Sequence, residues 1–97
     1  MLMFRIVEKR TLADNIYLLR IEAPRVAHSA LPGQFVIVRV DEQGERVPLT
    51  IADYDRDKGT VTIIFQVVGK STQQLAALEE NDSIQDFVGP LGVPTHI

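Results

Sequence analysis

Residues 60–68 read Thr-Val-Thr-Ile-Ile-Phe-Gln-Val-Val, the clearest β-strand signal in the sequence. β-Branched and aromatic residues dominate this stretch, and they suit the pleated surface of a strand. The apolar residues Val61, Ile63, Phe65 and Val67 share one face, because successive side chains of a strand point to opposite sides. The stretch therefore predicts a strand with one buried face, in a protein built from β-sheet.

Shorter segments of the same kind flank this strand. Turn residues separate them at the spacing of hairpins, as in Asp41-Glu42-Gln43-Gly44. Pro48 lies inside the fourth segment, which places it at a sheet edge or at a β-bulge. The predicted strands are residues 4–9, 15–22, 35–40, 46–52, 60–68 and 83–88, and residues 11–14 and 54–59 are predicted as connections.

One segment has helical rather than strand periodicity. Residues 72–80 carry Leu75, Ala76 and Leu78 at helical spacing, and Ser71 with Gln74 fits a capping box. Combined with six strands, this segment predicts an all-β fold, a six-stranded antiparallel Greek-key barrel with one short helix. Closing the sheet into a barrel removes the exposed edges that invite aggregation.

Length and composition restrict the possible functions. The 97 residues predict one domain, and the glycines and prolines of residues 89–97 predict a linker at its end, with a further part of the protein expected beyond. We expect no membrane span, and the net charge of −3 argues against nucleic-acid binding. The absence of cysteine excludes disulfides and cysteine-held iron–sulfur clusters within the chain, and it fits a cytoplasmic protein.

Two short motifs combine groups that bind a ring system with groups that bind phosphate. Arg46-Val47-Pro48-Leu49-Thr50 places a cation, a flat apolar surface and a hydroxyl along one strand. Gly69-Lys70-Ser71-Thr72 places a glycine turn, a lysine and two hydroxyls at the predicted start of the helix. Amides at a helix N-terminus favour an anion, and the lysine adds charge. We predict one ligand site formed by both motifs, provided that they face a shared groove.

Metal sites and nucleophilic catalysis are not predicted. His28, in a predicted polar loop, and His96 have no partner at ligand spacing. Asp53, Asp55 and Asp57 alternate with other residues but lack the glycine and glutamate of a calcium loop, so a solvated turn is predicted there. No nucleophile–histidine–acid arrangement is evident.

Four landmarks, taken in order, resemble the flavin-binding barrel of the ferredoxin–NADP reductase superfamily. They are Pro32-Gly33-Gln34-Phe35-Val36, the motifs at 46–50 and 69–72, and Gly89-Pro90-Leu91-Gly92. The resemblance is greatest to the branch that holds the electron-transfer subunit of dihydroorotate dehydrogenase and the small subunit of NADH-dependent ferredoxin:NADP oxidoreductase. It spans essentially the whole chain and implies an FAD site.

The resemblance assigns a role to each candidate residue. Thr50 matches the hydroxyl that faces the flavin N5 atom and is the candidate catalytic residue. The other implied FAD contacts are Arg46 as a phosphate ligand, Val47 beside it, Pro48 and Leu49 along the ring, Ile64, Phe65 and Gln66 beside the ribityl chain and phosphates, and Gly69, Lys70, Ser71 and Thr72 at the diphosphate.

The sequence departs from the family pattern in two places. The usual arginine position is taken by Val47, and the arginine is Arg46, one residue earlier. A slip of one residue reverses the direction of a side chain on a regular strand, so the direction of Arg46 depends on a bulge at Pro48. The tyrosine that often covers the ring is replaced by Pro48 or Leu49, which predicts weaker stacking.

The implied function is electron transfer between NAD(P)H and an iron–sulfur partner subunit through FAD. The family's NAD(P)-binding domain is absent from this chain, which is therefore expected to bind flavin without being a complete enzyme. A non-catalytic barrel that docks subunits and has a degenerate flavin site remains the alternative. An oligonucleotide-binding barrel is disfavoured by the acidic charge and the low aromatic content.

Overall fold

One antiparallel sheet, curled into a nearly closed barrel, forms the molecule in a computed structural model that describes residues 3–93. The strands follow one another across the sheet in the order β6-β1-β2-β5-β4-β3-β7. The elements are β1 (Phe4–Ala13), β2 (Ile16–Glu22), α1 (Pro24–Ser29), β3 (Phe35–Arg39), β4 (Val47–Asp55), β5 (Thr60–Gln66), α2 (Lys70–Ala76), β6 (Ser83–Ile84) and β7 (Asp86–Leu91).

The barrel closes at the connection between β6 and β7. These strands lie at opposite ends of the sheet order, although only Gln85 separates them in the sequence. The Gln85 amide donates a hydrogen bond to the Val40 carbonyl at 3.2 Å, which draws the β1 edge toward the β3 edge. The predicted all-β barrel is confirmed. The described residues form seven strands instead of six, because the predicted strand at 83–88 breaks at Gln85.

Two helices, not one, lie in the described part of the chain. The predicted loop around His28 is wrong, since His28 belongs to α1. Pro24 begins this helix, where its missing amide has no intrahelical partner to lose. Val26 and Ala27 are buried against the barrel. A helix of six residues is too short to show a periodic pattern, so the sequence did not indicate it.

Both ends of α2 differ from the prediction, which placed the helix at residues 72–80, whereas the helix runs from Lys70 to Ala76. The helix begins at Lys70 because the Thr72 hydroxyl oxygen accepts the amides of Val68 and Gly69, at 2.9 and 3.0 Å. The predicted capping box of Ser71 with Gln74 is therefore wrong. Thr72 performs this function, because a side chain in the first turn can reach back to the amides that precede it.

Several strands extend beyond their predicted ends. β1 continues to Ala13, and the turn lies at Asp14 and Asn15, where Asn15 has a φ of 62° that asparagine tolerates. β4 continues to Asp55, into the predicted connection. β7 includes residues 89–91 of the predicted linker, and residues 94–97 lie outside the described part. These strands are longer than their apolar patterns indicated, because backbone hydrogen bonds to a neighbouring strand continue into the polar segments.

The core fills the inside of the barrel. β5 contributes Val61, Ile63 and Phe65, which are at most 4% exposed, as predicted for this face. The fourth residue predicted for the face, Val67, lies beyond the end of β5 and is half-buried. Ile64, on the other face of β5, is 42% exposed. The outer surface of β5 is thus available for contacts outside the core. In the described residues, no helix has the length and apolarity needed to span a membrane.

Candidate functional site

The motif at residues 46–50 leads into β4, where more buried and more exposed residues alternate along the strand. Val47 and Leu49 are half-buried and Ile51 is buried, whereas Pro48 and Thr50 are exposed. A proline ring and a hydroxyl therefore lie on the outer surface of the barrel, two residues apart. This is the combination of apolar surface and hydrogen-bonding group that the motif predicted.

Arg46 is exposed and lies immediately before the first residue of β4. β4 pairs regularly with β3 at Pro48, which faces Ile37, and the irregularity of β4 lies after Ile51. Of the two positions predicted for Pro48, the sheet edge therefore fits and the bulge does not, because β4 pairs with β5 only from Ile51 onward. The direction of Arg46 depended on that bulge, so its role as a phosphate ligand stays a prediction.

β5 continues the surface formed by β4. Ile51 on β4 pairs with Ile63 on β5, and both point into the core. The two strands are antiparallel, and the residue before Ile51, Thr50, and the residue after Ile63, Ile64, are both exposed. Gln66 is exposed on the same side of β5. The two strands together offer a mixed surface of hydroxyl, aliphatic and amide groups.

Two predicted contact residues have side chains engaged elsewhere. Phe65 is 4% exposed, and its ring packs on Tyr17 with the centroids 6.0 Å apart. Thr72 is 7% exposed, and its hydroxyl donates to the Gly69 carbonyl at 3.0 Å while it accepts the two amides described above. Contact of either residue with a ligand is therefore limited to backbone atoms.

The start of α2 lies next to the segment that leads into β4. The Ser71 hydroxyl donates to the Glu45 carboxylate at 3.4 Å, and Glu45 directly precedes Arg46. Lys70 is exposed, and no heavy atom of the described residues lies within 4 Å of the position that a Cβ on Gly69 would take. Because α2 has only seven residues, we assign the positive charge here to Lys70 and Arg46 rather than to a helix dipole.

Glu45 is a residue of this region that the motif analysis missed. Its carboxylate accepts a hydrogen bond from the Ser71 hydroxyl, which was predicted to bind phosphate. The only signal in the sequence is its position next to Arg46. A second missed residue is Lys9, which contacts the other end of α2. It lies more than 60 positions away in the chain, and nothing in the local sequence indicates the contact.

The two motifs therefore lie on one side of the barrel, one on the β4–β5 surface and the other beside the segment before β4. Among residues 3–93, no group of three or more histidine, aspartate or glutamate side chains could hold a metal ion. A family model for the oxidoreductase FAD-binding domain matches residues 3–96 of the sequence. The chain belongs to this family. FAD is accordingly the cofactor of the domain.

Individual relatives agree with this assignment. The FAD-binding domain is 66% identical over 93 residues to an uncharacterized protein in the adh 3' region of Clostridium beijerinckii, with 96% of this chain and 31% of that protein covered. It is 45% identical over 92 residues to the dihydroorotate dehydrogenase B (NAD(+)) electron transfer subunit homolog of Thermotoga maritima, with 95% and 33% covered.

Among solved structures, a chain of the NADH-dependent reduced ferredoxin-NADP oxidoreductase superposes with a TM-score of 0.95 at 42% identity. The alignment covers 99% of the FAD-binding domain and 35% of that chain. The ferredoxin reductase-like barrel expected from the sequence is confirmed. The domain spans about a third of the length of each of these three relatives.

Several of the predicted contact residues have exposed side chains. Ile64 is 42% exposed, and Val68, which precedes the motif at 69–72, is 78% exposed. Thr50, Lys70 and Arg46 are exposed as well, so that a hydroxyl and two positive charges are available at the surface.

Proposed function

We propose that this domain holds FAD across the β4–β5 surface and the start of α2, as part of an NAD(P)H-dependent electron-transfer oxidoreductase. The observation that carries the proposal is the contact between Ser71 and Glu45. It links the predicted phosphate motif to the residue before Arg46, on the side of the barrel where Thr50 is exposed. One extended ligand can therefore reach both motifs.

The β4–β5 surface receives the ring system. Pro48 and Ile64 supply apolar contact. The backbone of Val47 and Leu49, on either side of Pro48, holds the proline in place by pairing with β3. The exposed Thr50 hydroxyl orients the ring through a hydrogen bond near its reactive nitrogen. When bound, FAD supplies the redox chemistry, and the protein contributes position and electrostatics.

The start of α2 receives the diphosphate. Lys70 and Arg46 offset its negative charge, and the Ser71 hydroxyl exchanges the Glu45 carboxylate for a phosphate oxygen. Gly69 and Thr72 contribute backbone atoms, since one has no side chain and the other uses its hydroxyl in the cap. Gln66 and the backbone of Phe65 lie along the path between the two ends.

The reaction partners lie outside this domain. The printed names of two relatives, an electron transfer subunit homolog and an NADH-dependent ferredoxin-NADP oxidoreductase, support electron exchange with NAD(P)H on one side and an iron–sulfur protein on the other. Binding of NAD(P)H requires residues other than those of this chain. A cytoplasmic location belongs to the same proposal.

Titration of the purified chain with FAD, followed by flavin fluorescence, tests the proposal. We expect saturable binding of one FAD. Thr50→Val should weaken it about two- to tenfold, because one neutral hydrogen bond is worth about 0.5–1.5 kcal/mol. Thr11→Val, the same change at an exposed site on β1, is the control and should leave the affinity unchanged.

Two results would contradict the proposal. One is a folded wild-type chain that does not bind FAD at high concentration. The other is equal FAD affinity in Thr50→Val and Thr11→Val. Unchanged flavin affinity in Thr50→Val and Ser71→Ala, together with retained binding of a partner subunit, would favour the non-catalytic docking module.

A further inference from the structure

Lys9, on β1, is a lysine with an unusually enclosed side chain that is only 13% exposed. Its Nζ donates to the Ala76 carbonyl at 2.7 Å and to the Glu79 carboxylate at 3.1 Å. The same atom lies 5.4 Å from the centroid of the Tyr17 ring. An ammonium group taken out of water requires partners of this kind, and here they come from separate elements.

The first partner fixes the C-terminal end of α2. Ala76 is the last residue of that helix, and the described last turn contains no basic residue of its own. The final carbonyls of a helix lack intrahelical partners and favour a nearby cation. Lys9 supplies this cation from β1, so that the end of α2 is tied to the barrel wall.

The Tyr17 ring connects Lys9 to β5, the strand assigned to the flavin ring. The Tyr17 ring, which lies beneath the Lys9 ammonium, also packs on Phe65 of β5, next to the exposed Ile64. Lys9 therefore stands between the helix assigned to the diphosphate and the strand assigned to the ring.

The direct connection between β5 and α2 is fixed at the start of the helix. It consists of residues 67–69, whose amides donate to the Asn15 carbonyl and to the Thr72 hydroxyl. Leu75, which is 1% exposed, keeps α2 attached to the core, and Lys9 binds its C-terminal end. Removal of the Lys9 contact would thus leave the start of the helix in place but release its C-terminal end, so that the helix axis can tilt.

We propose that Lys9 is a positioning residue for FAD, which sets the tilt of α2 and thereby the direction of the diphosphate surface relative to the ring surface. The inference rests on the proposed function. FAD spans both surfaces and depends on their relative direction, whereas riboflavin has no phosphate and uses the ring surface alone. The structure therefore assigns to Lys9 a selective effect on the dinucleotide.

Titrations of the same variants with FAD and with riboflavin test this assignment. Lys9→Met should weaken FAD binding about tenfold and riboflavin binding less than about twofold, because loss of the charge-assisted hydrogen bond to Ala76 releases the end of α2 and leaves the ring surface unchanged. Lys9→Arg, which keeps a charged donor, should restore most of the FAD affinity. Arg10→Met removes the same charge from an exposed neighbour on β1 and should change neither affinity.

Equal losses of FAD and riboflavin affinity in Lys9→Met would reveal a general structural role and overturn the inference. Unchanged FAD affinity, or a loss as large in Arg10→Met, would also overturn it. If Lys9→Met lacks a cooperative thermal transition, Lys9→Gln is measured instead, against the same expectations. A wild-type chain that binds no FAD refutes the proposed function itself and removes the basis of this inference.

Discussion

Among single residues, Thr72 has a role different from the one its motif indicated. Its hydroxyl was assigned to a diphosphate, yet it is buried and bonds to three backbone groups of Val68 and Gly69. These bonds turn the chain from β5 into α2. The polar groups closest in sequence to Thr72 are those of the exposed Lys70 and the half-buried Ser71.

Replacement of Thr72 should therefore lower the free energy of unfolding, because its hydroxyl bonds to the backbone and is not free for a ligand. Thr72→Val leaves two amides without their acceptor, and we expect a loss of about 1–3 kcal/mol in the free energy of unfolding. Thr72→Ser keeps the hydroxyl and should recover most of this loss. Chemical denaturation of the variants without flavin measures the effect, and a stability of Thr72→Val equal to wild type would contradict the assigned role.

Among the elements, β5 places core residues on its inner face and an exposed residue, Ile64, on its outer face. Its inner residues Val61 and Ile63 have no exposed surface, and Ile64 is 42% exposed. The proposed FAD contact of Ile64 therefore lies directly beside a residue of the core. A change at Ile63 should act on stability, and a change at Ile64 should act on FAD binding.

Paired substitutions on β5 test this separation. Ile63→Ala should lower the free energy of unfolding by about 2–5 kcal/mol, because it leaves a cavity in the core. Ile64→Ala should cost less than about 1 kcal/mol but weaken FAD binding about three- to tenfold through lost apolar contact. Thermal unfolding and FAD titration of both variants provide the measurements, and a reversed order of the two stabilities would refute the assignment of the faces.

For the barrel as a whole, the seam beside β7 is held by more than backbone pairing. Arg39 on β3 forms an ion pair with Asp86 on β7, with Nε and Oδ2 2.6 Å apart and both side chains less than 30% exposed. β7 also follows β6 directly, so this pair lies where the two ends of the sheet meet. An ion pair that is partly shielded from water contributes more than an exposed one.

Asp86→Asn should therefore destabilise the barrel by about 1–3 kcal/mol, since it leaves the Arg39 charge partly buried without its partner. In a domain of this size, 1 kcal/mol corresponds to a fall in Tm of roughly 4–8 °C. Glu22→Gln, which breaks the exposed pair with Arg5, is the matched control and should cost less than about 1 kcal/mol. Equal Tm values for the two variants would contradict this account of the seam.

Local patterns in the sequence were sufficient for the fold class, and the composition of the site stays a prediction. The alternation of residues 60–68 predicted which face of β5 is buried, because a strand separates apolar and polar side chains with a period of two. Two short motifs predicted a ring surface and a charged segment near a helix start. Each of these inferences depends on a few neighbouring residues, which is the range over which side-chain periodicity and turn chemistry act.

Contacts between distant residues could be found only in the folded chain. Pro48 pairs with Ile37 in a regular register, and no pattern within β4 reveals that register. The approach of Ser71 to Glu45, and the hold of Lys9 on the end of α2, likewise join residues far apart in sequence. Such contacts follow from how the sheet closes, because long-range hydrogen bonding and core packing, not local preference, select the partners.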